Sequence, residues 1–303
     1  MPMSRLQSGI CGNLLSSLML RSLLLILLGL GIAVLLLLAG IWIGQSRLIF
    51  RPAKDEPLPE ALLEYQPEEV WIALQPQAAR SPRLQAWWFP NQGATPWTVL
   101  YLHGVRGRWA DTEDRLLQLL SLGLSVLVLQ YRGYGRSPGP FPNERRVYAD
   151  AEAAVTYLAQ ERAIPSDRLL VCGHSLGGAI AAELANRQPK LAGLILEGSF
   201  SSMRAMTQYR RRFAWIPNWL LHQRFDTLAK LRQSSVPVLI LHGEADTEVP
   251  ALMSEALFLA AAGPKQLCQI PEAGHNDLPK LAGDRYRQAI QRFLDLVAAR
   301  PRT

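Results

Sequence analysis

The stretch VCGHSLGG, Val171–Gly178, sets one serine among glycines, after a short apolar run and before an alanine-rich segment. LLVCG (169–173) has the composition of a buried strand, and LGGAIAAELANR (176–187) that of a helix packed close to a sheet. Gly173-His174-Ser175-Leu176-Gly177 therefore places Ser175 on a strand-to-helix turn, the setting in which G-x-S-x-G lifts a hydroxyl clear of the sheet. Small neighbours permit a backbone turn too tight for larger side chains. The helix behind it aims N–H groups and partial positive charge at a reacting carbonyl oxygen. Taken alone, Ser175 would serve equally well as an ordinary helix N-cap.

A serine hydroxyl becomes a useful nucleophile only when a base takes its proton, and on this scaffold the partners follow in the order serine, acid, histidine. Three histidines follow Ser175: His222, His242 and His275. His222 falls in an insertion, and His242 ends the strand-like run VLILHG before any candidate acid. His275, in the loop PEAGHNDL after a late strand, is the expected base. In LHGEADTEVP, just past a strand end, Asp246 is the expected acid, with Glu248 in reserve. Asp277 and Asp284 come after the histidine and fit the order badly. The oxyanion donors are expected to be the backbone N–H groups of Leu176 and of Val105, the latter in the loop of LYLHGVRGRW. Asp246 alone would pass for a helix cap and His275 for a turn residue; it is their order after Ser175 that gives them a role. His103 and His174 are read as structural.

Around these loops the chain alternates strand-like and helical runs. Strands are expected at 70–74, 84–89, 98–103, 125–131, 169–173, 191–198, 236–243 and 265–270, and helices at 112–122, 144–162, 176–187, 251–262 and 284–298. This rhythm predicts βαβ units and a mostly parallel sheet flanked by helices. The first two strands, joined through Pro76 and Pro82, form an antiparallel start. Residues 201–235 are longer than one crossover requires and carry Phe213, Trp215, Trp219 and the cluster Arg210, Arg211 and Arg212; they are expected to form a short cap over the site. In YRGYGRSPGPFP, Pro138, Pro140 and Pro142 rule out a phosphate-binding helix start, so Tyr131, Arg132, Tyr134 and Arg136 are expected to shape a turn near the site.

The N-terminal block differs in kind. Leu23–Ile43 holds no charge over 21 residues, and a helix of that length rises about 30 Å, the thickness of a bilayer's hydrocarbon core. The block exceeds the usual h-region of a cleaved signal, and Trp42 suits an interfacial anchor. The expected organisation is a tail and transmembrane anchor over 1–46, a linker over 47–69, and one catalytic domain over 70–303. Basic residues on the two sides of the span, Arg5 and Arg21 against Arg47, Arg51 and Lys54, nearly balance and fix no orientation.

The formal net charge is +7. Apart from Arg210, Arg211 and Arg212 the basic residues are scattered and match no nucleic-acid module, so the surplus suits either an anionic membrane surface or a merely solvated basic face. Cys11, Cys172 and Cys268 form neither a disulfide framework nor a C-x-x-C pair. There is no H-E-x-x-H motif and no G-K-[ST] phosphate loop, so no metal or cofactor is expected.

Together LYLHG, LQYRGYGRSPGPFPNERRVYADAEAAVTYL, CGHSLGG, FDTLAKLRQSSVPVLILHGEADTEVP and PEAGHNDL resemble the α/β-hydrolase superfamily, and within it the membrane-anchored BEM46-like group and its ABHD-type relatives. The resemblance runs from about Gln45 to the C-terminus. It implies a serine hydrolase whose triad is Ser175, Asp246 and His275, acting on acyl or lipid esters, thioesters or acyl-proteins at a membrane. Val105 and Arg106 stand where the common H-G-N form carries smaller or amide residues, which bears on the acyl pocket. A serine peptidase, an acyltransferase and a non-catalytic binding protein are the alternatives on the same scaffold; the oligomeric state is left open.

Overall fold

The computed structural model describes residues 4–74, 81–90, 93 and 95–300. One eight-stranded sheet carries the fold: β1 (Glu68–Ala73), β2 (Arg83–Phe89), β3 (Thr98–Leu102), β4 (Ser125–Leu129), β5 (Leu169–His174), β6 (Gly193–Glu197), β7 (Val238–Gly243) and β8 (Lys265–Ile270), in the order β1-β2-β4-β3-β5-β6-β7-β8. β2 runs antiparallel to both β1 and β4, and every other neighbouring pair is parallel. The antiparallel start matches the sequence reading; Pro76 lies outside the described residues. Strands β3 to β7 are buried along their whole length. This is why they read as unbroken apolar runs: helices cover both faces.

The helices are α1 (Ser4–Ile49), α2 (Glu60–Leu63), α3 (Glu113–Ser121), α4 (Glu144–Glu161), α5 (Leu176–Arg187), α6 (Met203–Tyr209), α7 (Thr227–Gln233), α8 (Leu252–Ala260), α9 (Leu278–Ala282) and α10 (Asp284–Ala298). One buried cluster joins α4, α5, Phe225, Leu231 and Leu257 to one face of the sheet. The other joins Leu116 and Leu119 of α3 and Ile290 and Phe293 of α10 to the opposite face. Parallel topology sends the ends of β3, β5, β6, β7 and β8 to one edge, so Val105, Ser175, Glu197, Asp246 and His275 all follow strands that finish there.

Two elements overhang that edge. Residues 201–224 hold α6 and two single 3₁₀ turns, Arg211–Phe213 and Asn218–Leu220. Beyond them α7 is the ordinary crossover helix of β6 to β7, tied to α5 by the Lys230–Glu183 ion pair at 2.8 Å. The second overhanging element is α1. Met19–Ile49 is long and apolar enough to cross a membrane. Its side chains are exposed from Met19 to Leu37; burial then begins on one face, at Leu38, Ile41, Gln45 and Ile49. That i, i+3/i+4 spacing is a single helical stripe laid on the domain. The 19 exposed residues alone rise about 28 Å.

After α1 the chain stays on the domain. Phe50 is buried edge-on against Phe225 at 6.0 Å. Arg51 and Ala53 donate backbone N–H bonds to the carbonyls of Val105 and Arg106, 3.0 Å each. Glu56 accepts from Trp109 through its side chain and its carbonyl.

The glycines of the opening stretch are demanded by close approach. A Cβ at Gly177 would lie 1.9 Å from the Leu102 carbonyl oxygen, and one at Gly173 would lie 2.2 Å from that of Gly177. Backbone carbonyls in a buried sheet cannot swing aside. Gly177→Ala is therefore expected to destabilise the protein by about 1–3 kcal/mol or more, read as a lowered thermal midpoint in detergent. Gly29→Ala, where nothing lies within 4 Å, leaves the midpoint unchanged.

Candidate active site

Ser175 occupies the left-handed region at φ 54, ψ −116, an arrangement unfavourable for a residue with a Cβ. The surroundings hold it there. Its N–H donates to the Glu197 carbonyl at 2.8 Å, and its carbonyl accepts from Gly178 N–H at 3.1 Å and the Ser199 hydroxyl at 3.0 Å. Ser175 thus stands at the N-terminus of α5, where the helix dipole favours negative charge.

His275 Nδ1 lies 2.7 Å from Asp246 Oδ2. The other carboxylate oxygen, Oδ1, accepts from the backbone N–H groups of Glu248 and Val249, 2.8 Å each. Burial pushes the Asp246 carboxyl upward, but the His275 hydrogen bond and charge and these two amides outweigh it and hold it below its usual range. An ionised Asp246 accepts from Nδ1–H and leaves Nε2 as the free, basic nitrogen of the ring. Glu248, the reserve acid, turns away to Arg106 at 3.9 Å and stands at the rim. Among the described residues no hydrogen bond joins Ser175 to the His275 ring directly; such contacts are commonly long without substrate and tighten on binding.

The two backbone donors expected to hold an oxyanion also meet here. Leu176 opens α5, and Val105 borders the same cavity as Ser175 and His275. Among the described residues, neither amide nitrogen donates to a protein acceptor. Val105's carbonyl is held from behind by Arg51 N–H and by the Tyr134 hydroxyl at 2.8 Å. Tyr131 donates likewise to the His103 carbonyl at 3.2 Å, which gives the tyrosines of YRGYGR their place.

His103 and His174 are both buried and turn a ring nitrogen to a backbone carbonyl. Burial pushes His103 down to about 4, and its Nδ1 faces the Gly104 carbonyl at 2.8 Å. Burial, with the Arg115 charge, holds His174 well below the usual imidazole range, and its Nε2 reaches the His275 carbonyl at 3.2 Å. Facing carbonyls, both nitrogens must carry the proton.

The sequence reading missed a buried ion pair beneath the site. Arg115 of α3 and Glu197 at the end of β6 are each about 1 % exposed and lie 2.6 Å apart. The guanidinium also donates to the carbonyls of Asp111 (2.6 Å), His275 (3.0 Å) and Asn276 (3.3 Å), and Tyr286 donates to the second Glu197 oxygen at 2.7 Å. The loop bearing the imidazole is thus pinned at its own backbone by Arg115 and His174. A signal was present: Arg115, Leu119 and Leu122 share one helical stripe, so a charge sits on an apolar face.

Above Ser175 opens a cavity of about 410 Å³ whose walls are mostly apolar. Phe200, Met203, Met206 and Leu221 contribute from below and from the cap, and Leu48 and Ile49 from α1. Arg51, Arg106 and Arg210 stand at its margin, where a neighbouring hollow begins.

Comparison with known proteins gives the family and the fold. The family model described as "Serine aminopeptidase, S33" (Hydrolase_4) matches residues 93–228. The uncharacterized protein Rv2307c of Mycobacterium tuberculosis is 36% identical over 256 residues, covering 84% of this chain and 88% of that one. Protein bem46 of Schizosaccharomyces pombe is 32% identical over 204 residues, covering 65% of this chain and 67% of that one. The solved structure of Pyrococcus furiosus esterase Pf2001 superposes with a TM-score of 0.66 at 20% identity, covering 82% of this chain and 96% of that one, a likeness of fold.

Arg115→Met strands the Glu197 carboxylate and is expected to cost about 3–5 kcal/mol of stability; adding Glu197→Gln recovers much of the loss, both read from thermal unfolding. Asp246 contributes a pH-dependent part. Its folded pKa lies below the ordinary 3.8, so its contribution is complete above that pH and is lost as pH falls through the lower folded value. Asp246→Asn removes that increment, and stability then falls less steeply on acidification below pH 3.8.

Proposed function

Since the chain belongs to the BEM46-like group of the α/β-hydrolase superfamily, we propose that it is a membrane-anchored serine hydrolase of acyl esters or thioesters. Ser175 Oγ attacks the acyl carbonyl while His275 Nε2 takes its proton. Asp246 holds the ring in the required tautomer and balances the imidazolium. The amides of Val105 and Leu176 receive the oxyanion. His275 returns the proton to the leaving group, and water then releases the acyl chain through a second tetrahedral intermediate.

One observation carries the substrate class: Ser175 and His275 open onto an apolar cavity with the end of an apolar helix for a wall. A cavity of that lining suits an acyl chain better than a polar peptide. It also supports an uncleaved anchor, because cutting α1 would remove Gln45, which is 4% exposed, from the folded domain. Trp215 and Trp219, 59% and 72% exposed, with arginines nearby, suit a cap resting on an anionic lipid surface.

A fluorophosphonate probe is expected to label the full-length protein and to fail on Ser175→Ala. Asp246→Asn should lower ester turnover by about 10⁴-fold, while Glu248→Gln, at the cavity rim and paired with Arg106 rather than His275, stays within about threefold of wild type. Undiminished hydrolysis by Ser175→Ala would contradict the assignment. Matched ester, thioester and amide substrates separate esterase from peptidase, the description attached to the matching family model.

A further inference from the structure

The end of α1 does more than tether the domain. Gln45 is a buried amide whose side chain hydrogen-bonds the cap. Its Nε2 donates to the Leu220 carbonyl at 2.6 Å, and its Oε1 accepts from the N–H groups of His222 at 3.0 Å and Gln223 at 3.3 Å. These bonds bracket Leu221, whose side chain lines the cavity above Ser175. One turn back, Trp42 rests on the His222 ring with centroids 4.7 Å apart. One turn on, Leu48 and Ile49 face the same cavity, and Phe50 locks the helix end into the core.

A buried amide of this kind is held by geometry, because an unmatched donor or acceptor there costs about 1–3 kcal/mol. Helix and cap are therefore joined at Gln45. The cavity wall that Leu48 and Ile49 supply is continuous, along the same helix, with the exposed apolar stretch ending at Leu37. An acyl chain filling the cavity above Ser175 would run beside this wall.

We infer that the last two turns of α1 belong to the substrate-binding site: Leu48 and Ile49 are specificity-determining residues that set the acyl length accepted, and Gln45 is a positioning residue that holds Leu221 in place. The inference rests on the proposed acyl hydrolase reading and adds that the anchor supplies part of its pocket. Bulk at positions 48 or 49 shortens the space for a chain and leaves Ser175, His275, Val105 and Leu176 themselves unsubstituted. Loss of the Gln45 amide frees the cap strand and loosens the grip on long chains first.

The test uses the full-length protein in detergent and compares Ser175 labelling rates for a short-alkyl and a hexadecyl fluorophosphonate. Leu48→Trp and Ile49→Trp are expected to slow the hexadecyl probe by about tenfold, the scale of methylene discrimination in apolar pockets, and to leave the short probe within about twofold. Gln45→Ala is expected to weaken long-probe labelling selectively, and Gln45→Glu, which sets a carboxylate oxygen against the Leu220 carbonyl, to recover none of it. Equal slowing of both probes, or wild-type rates for both, would overturn the inference. A second measurement is independent of serine chemistry: displacement of a fluorescent long-chain fatty acid from Ser175→Ala. A chain that never labels, yet binds the fatty acid in a manner weakened by the tryptophan substitutions, loses the hydrolase reading and keeps the pocket. One whose binding ignores positions 45, 48 and 49 loses the pocket.

Discussion

A left-handed serine is the constraint on which the site depends. Holding Ser175 at φ 54 costs about 1–3 kcal/mol, and the surrounding contacts supply the restraint. Gly173 and Gly177 let β5, α5 and the end of β3 approach closer than any Cβ permits. Glu197, Gly178 and Ser199 then hydrogen-bond the backbone of Ser175 itself. The resulting turn places the hydroxyl at the start of a helix, on a cavity that Val105 also borders.

The remaining groups arrive from loops far apart in sequence, and a buried polar network brings them to one register. Glu197 stands at the junction. Its backbone carbonyl holds the Ser175 turn, and its carboxylate binds Arg115, whose other N–H groups hold the carbonyls of His275 and Asn276. Elbow and imidazole loop are therefore referred to a common residue. A buried ion pair adds little net stability against an apolar replacement. Here its value is positional, since every donor of one guanidinium is committed to a defined acceptor.

The sheet was legible in the sequence because its strands are buried on both faces and so are written as unbroken apolar runs. The elbow was legible because close backbone approach admits only glycine, and the order Ser175, Asp246, His275 is a property of chain topology. Asp246 rather than Glu248 meets His275 because the turn after β7 folds Oδ1 onto the amides of Glu248 and Val249, leaving Oδ2 for the ring. What the sequence concealed is long-range pairing. Arg115 and His275 are 160 residues apart, and an arginine on the apolar stripe of its helix marks a misplaced charge without naming the partners that take it. Gln45 reads as the polar end of an anchor, since its partners Leu220, His222 and Gln223 lie about 175 residues away. In the insertion, composition marked the aromatic and basic residues over the site but gave no sign that α7 belongs to the ordinary crossover.

With α1 docked on the cap, the site stands a few turns of helix from the exposed apolar stretch that ends at Leu37. If the hydroxyl, the imidazole and the carboxylate act as one unit in the proposed acyl hydrolase, an acyl group passes through Ser175. The direct measurement is peptide mass mapping after an acid quench of the full-length protein reacting with a slowly released acyl ester. The account requires the mass of the acyl group on the peptide that contains Ser175, appearing before product and vanishing as turnover ends. Product formation with no acyl mass on that peptide, or with the mass on another residue, would contradict it.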